Sequence, residues 1–460
     1  MTTPEKTLRV AVVGCTHGEL DLLYQRVVSA NSTAADGRAI DLLICCGDFQ
    51  AVRNQSDLNT MSCPDKYKSM QDFWRYYSGV RKVPVQTLFI GGNHEAASHC
   101  GELPLGGWVA PGIYYLGTSG CVNFGGLRIA GISGIFKSHN FWKGYFERPP
   151  YSQGDLKSIN HQRAFDFWRC AHLAGSPVDV FLSHDWPAGV SGHGDQVSLL
   201  RKKPHFREDV ERGELCSPPA MQLLYALQPR YWFAGHLHVK FSARVQHPSG
   251  SYTQFLALDK PIQGRQYFEI LDIPLRPEEG DLPKTFHYDP LWWATVVASH
   301  RATPTGSFPA AKDSLPPPTP PCLSSTQQVT NKLAALSSPF FSPPLPSTPA
   351  ATGASLDPHF RPIPIPLNFF PSAPAHGQPG GGAENVRGNP QMDALLQALG
   401  LPHVTTTPYS KGTEGGSGFG PHTTTAVASA PSIQEYAAAV SSLLTSLPSI
   451  PEDKNALDID

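Results

Sequence analysis

The sequence has no excess of charge, no long apolar run and no regular cysteine spacing, and each absence narrows what the chain can be. Across 460 residues, 36 Lys and Arg stand against 38 Asp and Glu, a net charge of −2. That balance argues against binding polyanions by bulk electrostatics, so any nucleic-acid site has to be local. The cluster Arg201, Lys202, Lys203, His205 and Arg207 is one such candidate, with an ordinary solvated loop as its plainer reading. No apolar stretch approaches the roughly 20 residues that span a bilayer, and no signal peptide precedes the first strand-like run. The expectation is a soluble, intracellular protein with no membrane partner. Nine cysteines without regular spacing fit reduced thiols better than a disulfide framework. No internal repeat is evident.

What is present is unevenly spread. Of 45 prolines, 26 lie after residue 300, among Ser, Thr, Ala and Gly and with few charges. Such a segment buries too little apolar surface to offset the entropy of ordering it. The chain is therefore divided into a folded unit over 1–290 and a mostly disordered region over 291–460. Two stretches in that region keep helical spacing, Gln391 to Leu401 and Ser432 to Leu447. They read as partner-docking helices or, more plainly, as short transient ones; through them the region offers a surface for protein partners.

Within 1–290, Leu8 to Val13, Asp41 to Cys45, Gln86 to Ile90, Val178 to Leu182 and Tyr231 to Ala234 are short, nearly continuous apolar runs, as expected of strands covered on both faces. Helices are predicted over Leu20 to Ala30, Met70 to Ser78, Asn160 to Leu173 and Pro218 to Leu227. Further strands are predicted over Leu127 to Ile132, Phe241 to Gln246, Tyr252 to Leu258 and Tyr267 to Ile273. The pattern predicts an α/β fold of two packed β-sheets flanked by helices.

Five of these runs end in side chains that bind metals. The blocks are VVGCTHG at Val12 to Gly18, CCGDF at Cys45 to Phe49, GGNHE at Gly91 to Glu95, FLSHDWP with His184, and FAGHLHV at Phe233 to Val239. Together they supply Cys15, His17, Asp48, Asn93, His184, His236 and His238. This mix of sulfur, nitrogen and oxygen donors suits two transition-metal ions sharing one carboxylate, the chemistry of metal-assisted phosphoester hydrolysis. Singly each block is weak, since a lone histidine is more often a structural residue; the conjunction at the carboxyl ends of successive strands carries the reading.

The blocks resemble those of the calcineurin-like metallophosphoesterases, GDxH, GD, GNH[ED], H and GHxH, over roughly residues 8 to 275. The resemblance implies one metal held by Cys15, His17, Asp48 and His238 and a second by Asp48, Asn93, His184 and His236, with Asp48 bridging. It also implies that His94 contacts the scissile phosphate and protonates the leaving oxygen; an orienting role beside the metals is the alternative. Cys15 departs from the superfamily, where aspartate is usual. A thiolate is softer than a carboxylate and favours Zn²⁺ or Fe²⁺ at that site, with Mn²⁺ able to substitute; a small buried apolar residue is the competing reading of Cys15.

VGCTHGEL, GDFQAVRN at Gly47 to Asn54, FIGGNHE, SGIFKSHNFWKGYFERPPY at Ser133 to Tyr151, GHLHVKFSA and FLALDK at Phe255 to Lys260 are similar, more specifically, to the intron lariat RNA debranching enzymes. This implies hydrolysis of the 2′,5′-phosphodiester at an intron branch point, hence a branched RNA partner and a nuclear location, with shuttling to the cytoplasm open. Ser133 to Tyr151 interleaves Lys137, His139, Lys143 and Arg148 with Phe141, Trp142, Tyr145 and Tyr151, pairing phosphate-directed charge with rings on which splayed bases stack. The alternative is a packed insertion covering the sheet edge. Tyr145 stands where histidine is expected in many relatives, which argues against a catalytic part for it. Two other functions compete. A phosphomonoesterase or protein phosphatase would use the same metals, but the GDxxDRG pattern is missing after Asp48, Arg53 falling one position late. A non-catalytic RNA-binding scaffold would be favoured by lost ligands, and all seven positions are filled.

Overall fold

The computed structural model describes residues 6–213, 215–276, 282–307, 321, 323–336, 363–365, 369, 371–378 and 389–403. The strands are β1 (Thr7–Val13), β2 (Leu42–Cys45), β3 (Thr87–Phe89), β4 (Gly107–Ala110), β5 (Ile113–Tyr115), β6 (Ser119–Phe124), β7 (Leu127–Ile132), β8 (Val180–Ser183), β9 (Tyr231–Ala234), β10 (Phe241–Gln246), β11 (Tyr252–Ala257), β12 (Phe268–Pro274), β13 (Phe286–Tyr288) and β14 (Ile363–Pro364). They form a six-stranded sheet ordered β12-β1-β2-β3-β5-β4 and an eight-stranded sheet ordered β10-β11-β9-β8-β7-β6-β13-β14. In the first, β1, β2, β3 and β5 run parallel; in the second, β7, β8, β9 and β11 do. The two-sheet α/β architecture expected from the apolar runs is the one found.

Burial explains the composition of each strand. The parallel strands β2, β3 and β8 are buried at every position, so no alternation marks them. The edge strand β10 alternates instead, burying Phe241 and Val245 and exposing Ser242, Arg244 and Gln246. Helix Leu20–Ser32 packs Leu20, Leu23, Tyr24 and Val27 inward, one face at helical spacing. Rings fill the space behind the functional edge: Phe49 stacks on Phe89 at 3.9 Å, and Phe181 on Trp232 at 4.3 Å between centroids.

Two expected helices are shorter than the apolar pattern suggests. The second begins at Ala164 rather than Asn160, because 160–162 runs alongside Ile135: Ile135 N donates to Asn160 O and Gln162 N to Ile135 O. The first spans only Phe73–Tyr77, since Gln71 takes a left-handed backbone, φ 42°. Strands β4, β5, β6, β13 and β14 were not expected; β4, β5, β13 and β14 have four residues or fewer, and β6 opens on Ser119 and Gly120.

The boundary drawn at residue 290 does not coincide with the edge of packing. Strand β13 pairs with β6, and the next helix, Pro290–Ser299, buries Leu291, Trp292, Trp293 and Val296. Its first turn is fixed by Asp289, whose carboxylate accepts from Trp292 N at 2.8 Å and receives both Nε and Nη2 of buried Arg128 at 2.7 and 3.0 Å. Helix Leu323–Leu336 packs on Pro290–Ser299, and helix Pro390–Leu399 packs on Leu323–Leu336. Helix Pro390–Leu399, within the expected 391–401 stretch, also reaches β4: Gln391 Nε2 donates to Trp108 O at 2.8 Å, and Trp108 N donates back to Gln391 Oε1 at 3.0 Å. The expected helix at 432–447 lies outside the described residues. The physical reason for the difference is that apolar clusters between prolines, each too short to order alone, pack on one another and on preformed strands, β13 of one sheet and β4 of the other.

Ending the chain after residue 289 removes, among other buried side chains, Leu291, Trp292, Trp293 and Val296, each contributing roughly 1.5–3 kcal/mol, against a total stability of about 5–15 kcal/mol. The shortened protein is expected to melt far below the full chain or to accumulate insoluble, whereas a chain ending after residue 403 melts normally. Circular dichroism melts of both decide it, and a midpoint for the 289 truncation within a few degrees of the full chain would contradict the packing described.

Candidate metal centre

Each candidate ligand follows the carboxyl end of a parallel strand. Sheet one delivers Cys15 and His17 after β1, Asp48 after β2 and Asn93 after β3; sheet two delivers His184 after β8 and His236 and His238 after β9. The two sheets are stitched together at this edge. His184 Nδ1 donates to Cys46 O at 2.7 Å and His236 N to Cys15 Sγ at 3.1 Å, while within sheet two Gly235 N donates to His184 O at 3.1 Å.

Four of the seven take a backbone conformation that side chains usually avoid: φ is 47° at His17, 46° at Asp48, 63° at His236 and 47° at His238. Each costs on the order of 1 kcal/mol or more, strain that persists only where surroundings enforce it. The enforcing contacts are visible. Gly47 lies so close to His184 that a Cβ there would sit 2.2 Å from its Nδ1, and a Cβ on Gly92 would sit 2.1 Å from Asp48 Oδ1. Glycine is required at both positions by close approach to the ligands.

The Cys15 Sγ, one ring nitrogen each of His17 and His238, and one Asp48 oxygen all lie within 4.8 Å of one another. His17 Nε2 is 3.1 Å from His238 Nε2 and 3.7 Å from Asp48 Oδ2. On the other side of Asp48, His184 Nε2 is 3.4 Å from Oδ1 and 3.1 Å from Asn93 Oδ1, and the rings of His184 and His236 are 5.0 Å apart. With Nδ1 of His184 committed to Cys46 O, its Nε2 faces two oxygens; burial lowers the ring's pKa, but Asp48 and the Cys46 carbonyl outweigh it and raise it, so a positive charge, a proton or a cation, is favoured at Nε2. Electron-rich atoms facing one another in a buried site call for a cation between them.

The electrostatics agree. Burial lowers His17 to about 4 and His238 to about 3, with Asp48 opposing, and burial then His184 lower His236, so these rings are neutral and their lone pairs free to coordinate. Burial works against ionising Asp48, but His184, His94 and His17 outweigh it and hold its carboxyl well below the usual range. Burial, then the Asp48 charge, pushes the Cys15 thiol well above its ordinary value; a thiolate forms there when a cation stands beside it. The donor set therefore fits divalent transition metals, with Asp48 facing both groups of donors.

His94 stands beside this set. Its N donates to Asp48 Oδ1 at 2.9 Å, its Nδ1 lies 2.6 Å from Ser62 O, and its Nε2 is 3.0 Å from Asn93 Nδ2. Ser62 O thus fixes Nδ1 as the donor, so that in the neutral ring Nε2 accepts from the amide of Asn93 beside the centre. Glu95, unassigned by sequence reasoning, is buried and accepts from Phe49 N and Gln50 N at 2.7 Å each and from Gly92 N at 2.9 Å. It ties the Asp48 loop to the Asn93 loop; its place directly after His94 was the available signal. Ser62 O and Cys46 O left no sequence signal, because they are backbone atoms.

The loop over 133–151 is placed differently from its expected solvent-facing role. Phe141 is 3% exposed and packs against Phe136, Trp142 and Phe167, so it belongs to the core. Tyr145 turns inward, its hydroxyl donating to Asp166 at 2.7 Å beneath the Arg163 guanidinium. Both are thereby corrected as base-stacking candidates. Lys143 Nζ donates to Asn140 Oδ1, and Arg148 is spent on the carbonyls of Tyr145 and Glu147. His139 is exposed, while Lys137, Trp142 and Tyr151 are half-buried. The loop flanks the centre on the Asn93 side, where Gly134 N donates to Gly91 O and Phe136 N to Asp185 Oδ2.

The chain is similar in sequence to known proteins. The family described as calcineurin-like phosphoesterase matches residues 8–240, and the lariat debranching enzyme C-terminal domain matches residues 250–404. The lariat debranching enzyme of Mus musculus is 50% identical over 296 residues, 63% of this chain and 52% of that protein. That of Homo sapiens is 50% identical over 296 residues, 63% and 53%; that of Arabidopsis thaliana is 46% identical over 288 residues, 62% and 67%. The chain spans about half the length of the curated mouse and human relatives it matches. Fold, metal-ligand blocks and these similarities together place the chain in the lariat debranching enzyme family of the calcineurin-like phosphoesterases.

Proposed function

We propose that this protein hydrolyses the 2′,5′-phosphodiester bond at the branch point of excised intron lariat RNA, leaving linear RNA for turnover after splicing. The observation that carries the reading is His94: a histidine whose Nδ1 is fixed by Ser62 O and whose Nε2 meets the amide of Asn93 beside the metal donors. Its protonated form holds a proton at Nε2, where the departing 2′ oxygen needs one. A pair of divalent cations, when bound, supplies charge neutralisation at phosphorus and lowers the pKa of water. Cys15, His17, Asp48 and His238 would hold one cation and Asp48, Asn93, His184 and His236 the other, with Fe²⁺ or Zn²⁺ favoured by the thiolate and Mn²⁺ accepted. The metal-free task of the chain is orientation: Glu95 fixes the two loops, and the left-handed residues aim their side chains at one point.

The name shared by the relatives supports branched RNA as the substrate. Against the protein-phosphatase alternative stands Arg53. Its guanidinium is fully buried and bound to Asp57 and Glu102 at 2.7 and 2.8 Å, so it is unavailable to clamp a phosphomonoester. Nuclear residence follows from the substrate, with shuttling to the cytoplasm compatible with it; partners that dock on the C-terminal region belong to the same proposal.

His94→Ala is expected to lower turnover of branched RNA by roughly 10²- to 10⁴-fold with metal content unchanged by elemental analysis. The loss should be much smaller with bis(p-nitrophenyl) phosphate, whose leaving group needs no proton. Equal loss with both substrates would remove His94 from proton transfer. Cys15→Asp is expected to shift the activation profile from Fe²⁺ and Zn²⁺ toward Mn²⁺ and Mg²⁺; an unchanged profile across the four ions would mean that the thiol is not a ligand.

A further inference from the structure

The strand register of the second sheet sets up a feature that the metal centre does not use. Gly131 of β7, Leu182 of β8, Phe233 of β9 and Leu256 of β11 pair in one row across four parallel strands. All four chains leave the sheet in the same direction, side by side. Beyond β7 begins the 133–151 loop, beyond β8 comes His184, beyond β9 come His236 and His238, and beyond β11 come Asp259 and Lys260. The histidines are therefore bracketed, by the 133–151 loop on one side and by the segment 258–266 on the other. Three inter-strand spacings of roughly 4.8 Å put the two brackets on the order of 14 Å apart.

The second bracket is rigidly placed and positively charged. Leu258 N donates to Ala234 O at 3.2 Å and Gly14 N to Tyr267 O at 3.3 Å. Gly14 has no room for a Cβ, which would fall 2.2 Å from Leu258 O and 2.4 Å from Asp259 O. The segment is thus pressed against the residue preceding Cys15. Asp259 N donates to Gln266 O, Ile262 N to Lys260 O and Arg265 N to Ile262 O, closing a tight loop. Asp259 braces Arg265 at 3.1 Å, and Arg265 is exposed.

A third cation arrives from elsewhere in the chain. Gly194 bridges to Ala243 of β10, a strand that starts three residues after His238. This seats the helix Gln196–Lys202 and its basic end at the same rim. Lys203 follows that helix, half-buried. Burial first, then the nearby charges of Arg265 and Lys260, push its ammonium down despite Asp259. Arg265 pairs with Asp259, Lys260 adjoins that carboxylate in the chain, and Lys203 sets its ammonium over the Phe206 ring at 5.8 Å, so three cations share this rim of the centre. Asp259 offsets one of the three charges, and the excess positive charge that remains is stabilised by an anion.

We propose that Lys203, Lys260 and Arg265 form a second RNA-contact site, which binds backbone phosphates of a single-stranded arm of the substrate as it leaves the centre on the Cys15 side. The inference rests on the branched-RNA reading for its ligand. It gives the arm a fixed exit opposite the 133–151 loop, and its contacts are to phosphate, so they position the strand without reading sequence. Of the basic cluster noted at 201–207, Lys203 faces the centre's rim together with Lys260 and Arg265.

The test uses the full metal-loaded chain and the triple variant Lys203→Gln, Lys260→Gln, Arg265→Gln, with Arg265→Gln alone as a milder version should the triple variant melt early. Binding of a linear, unbranched RNA oligonucleotide is followed by fluorescence anisotropy across a KCl series. Three lost phosphate contacts should flatten the slope of log affinity against log salt by about 2, and one by about 0.7. With branched RNAs of short and long arms, the variant's KM should rise roughly tenfold for long arms and much less for short ones. A salt slope equal to wild type, or a KM penalty independent of arm length, overturns the proposal. So does polyglutamate that displaces RNA charge for charge, since the patch would then serve an acidic protein. If wild type fails to cleave branched RNA while the variant still flattens the salt slope, the debranching reading falls and the phosphate site stands.

Discussion

A single buried carboxylate organises this edge of the molecule. Asp48 is 1% exposed, and isolating such a charge from water costs several kcal/mol unless it is surrounded by partners of opposite character. His94 N donates to Oδ1, His184 Nε2 lies 3.4 Å from that oxygen, and His17 Nε2 lies 3.7 Å from Oδ2. Between sheets that arrive from distant parts of the chain, the carboxylate is the one group that both sets of donors face. Removing the side chain at position 92 is part of the same arrangement, because any Cβ there would occupy the space of Oδ1. The left-handed backbone at His17, Asp48, His236 and His238 extends the point: strain is concentrated where the ligands converge and is held by the stitches between the sheets.

The candidate centre was legible in the sequence to an unusual degree, and for a physical reason. Parallel strands covered on both faces must read as apolar runs, and the residues just past their carboxyl ends are the ones a ligand meets. Polar side chains terminating such runs therefore announce a site even before the sheet order is known. The 133–151 loop was less legible because aromatic and basic residues serve equally for packing and for RNA contact. Phe141 and Tyr145 went to the core and to the Asp166 network, and composition alone does not tell a ring that stacks on a base from one that stacks on another ring. The anchors that set the histidine tautomers, Cys46 O and Ser62 O, are main-chain atoms, which every residue has.

The packing beyond residue 290 was illegible for a different reason. Proline-rich composition predicts that a segment cannot order itself; it says nothing about whether a preformed surface orders it. Here the surface exists. Arg53, buried with Asp57 and Glu102, donates through Nη1 to Ser372 Oγ at 2.6 Å, Asn54 Nδ2 donates to Pro374 O at 2.7 Å, and His376 N donates to Arg53 O at 2.8 Å. A buried guanidinium with one carboxylate from four residues on and another from 49 residues away still has donors to satisfy, and Ser372 of the 371–378 segment takes one of them. Arg53 and Asn54 close the loop that starts at Asp48, so the C-terminal segment supports the chain that carries the central carboxylate.

That support joins the two halves of the functional argument. The loop from Asp48 to Asn54 is fixed at its start by Glu95, which receives Phe49 N and Gln50 N, and at its end by Arg53 and the segment bound to it. Gln50, between these anchors, sets its side-chain amide 3.4 Å from His17 Nδ1; with the amide oxygen accepting there, Nδ1 carries the ring proton and the Nε2 lone pair is turned toward His238 and Asp48. Small displacements of the loop would therefore act on ligand orientation as well as on the carboxylate. Metal-site residues must be held to within about 0.5 Å to act together, and a loop anchored at both ends by buried charges achieves this without regular secondary structure. The distal segment thus belongs to the architecture of the centre even though it contributes no ligand to it.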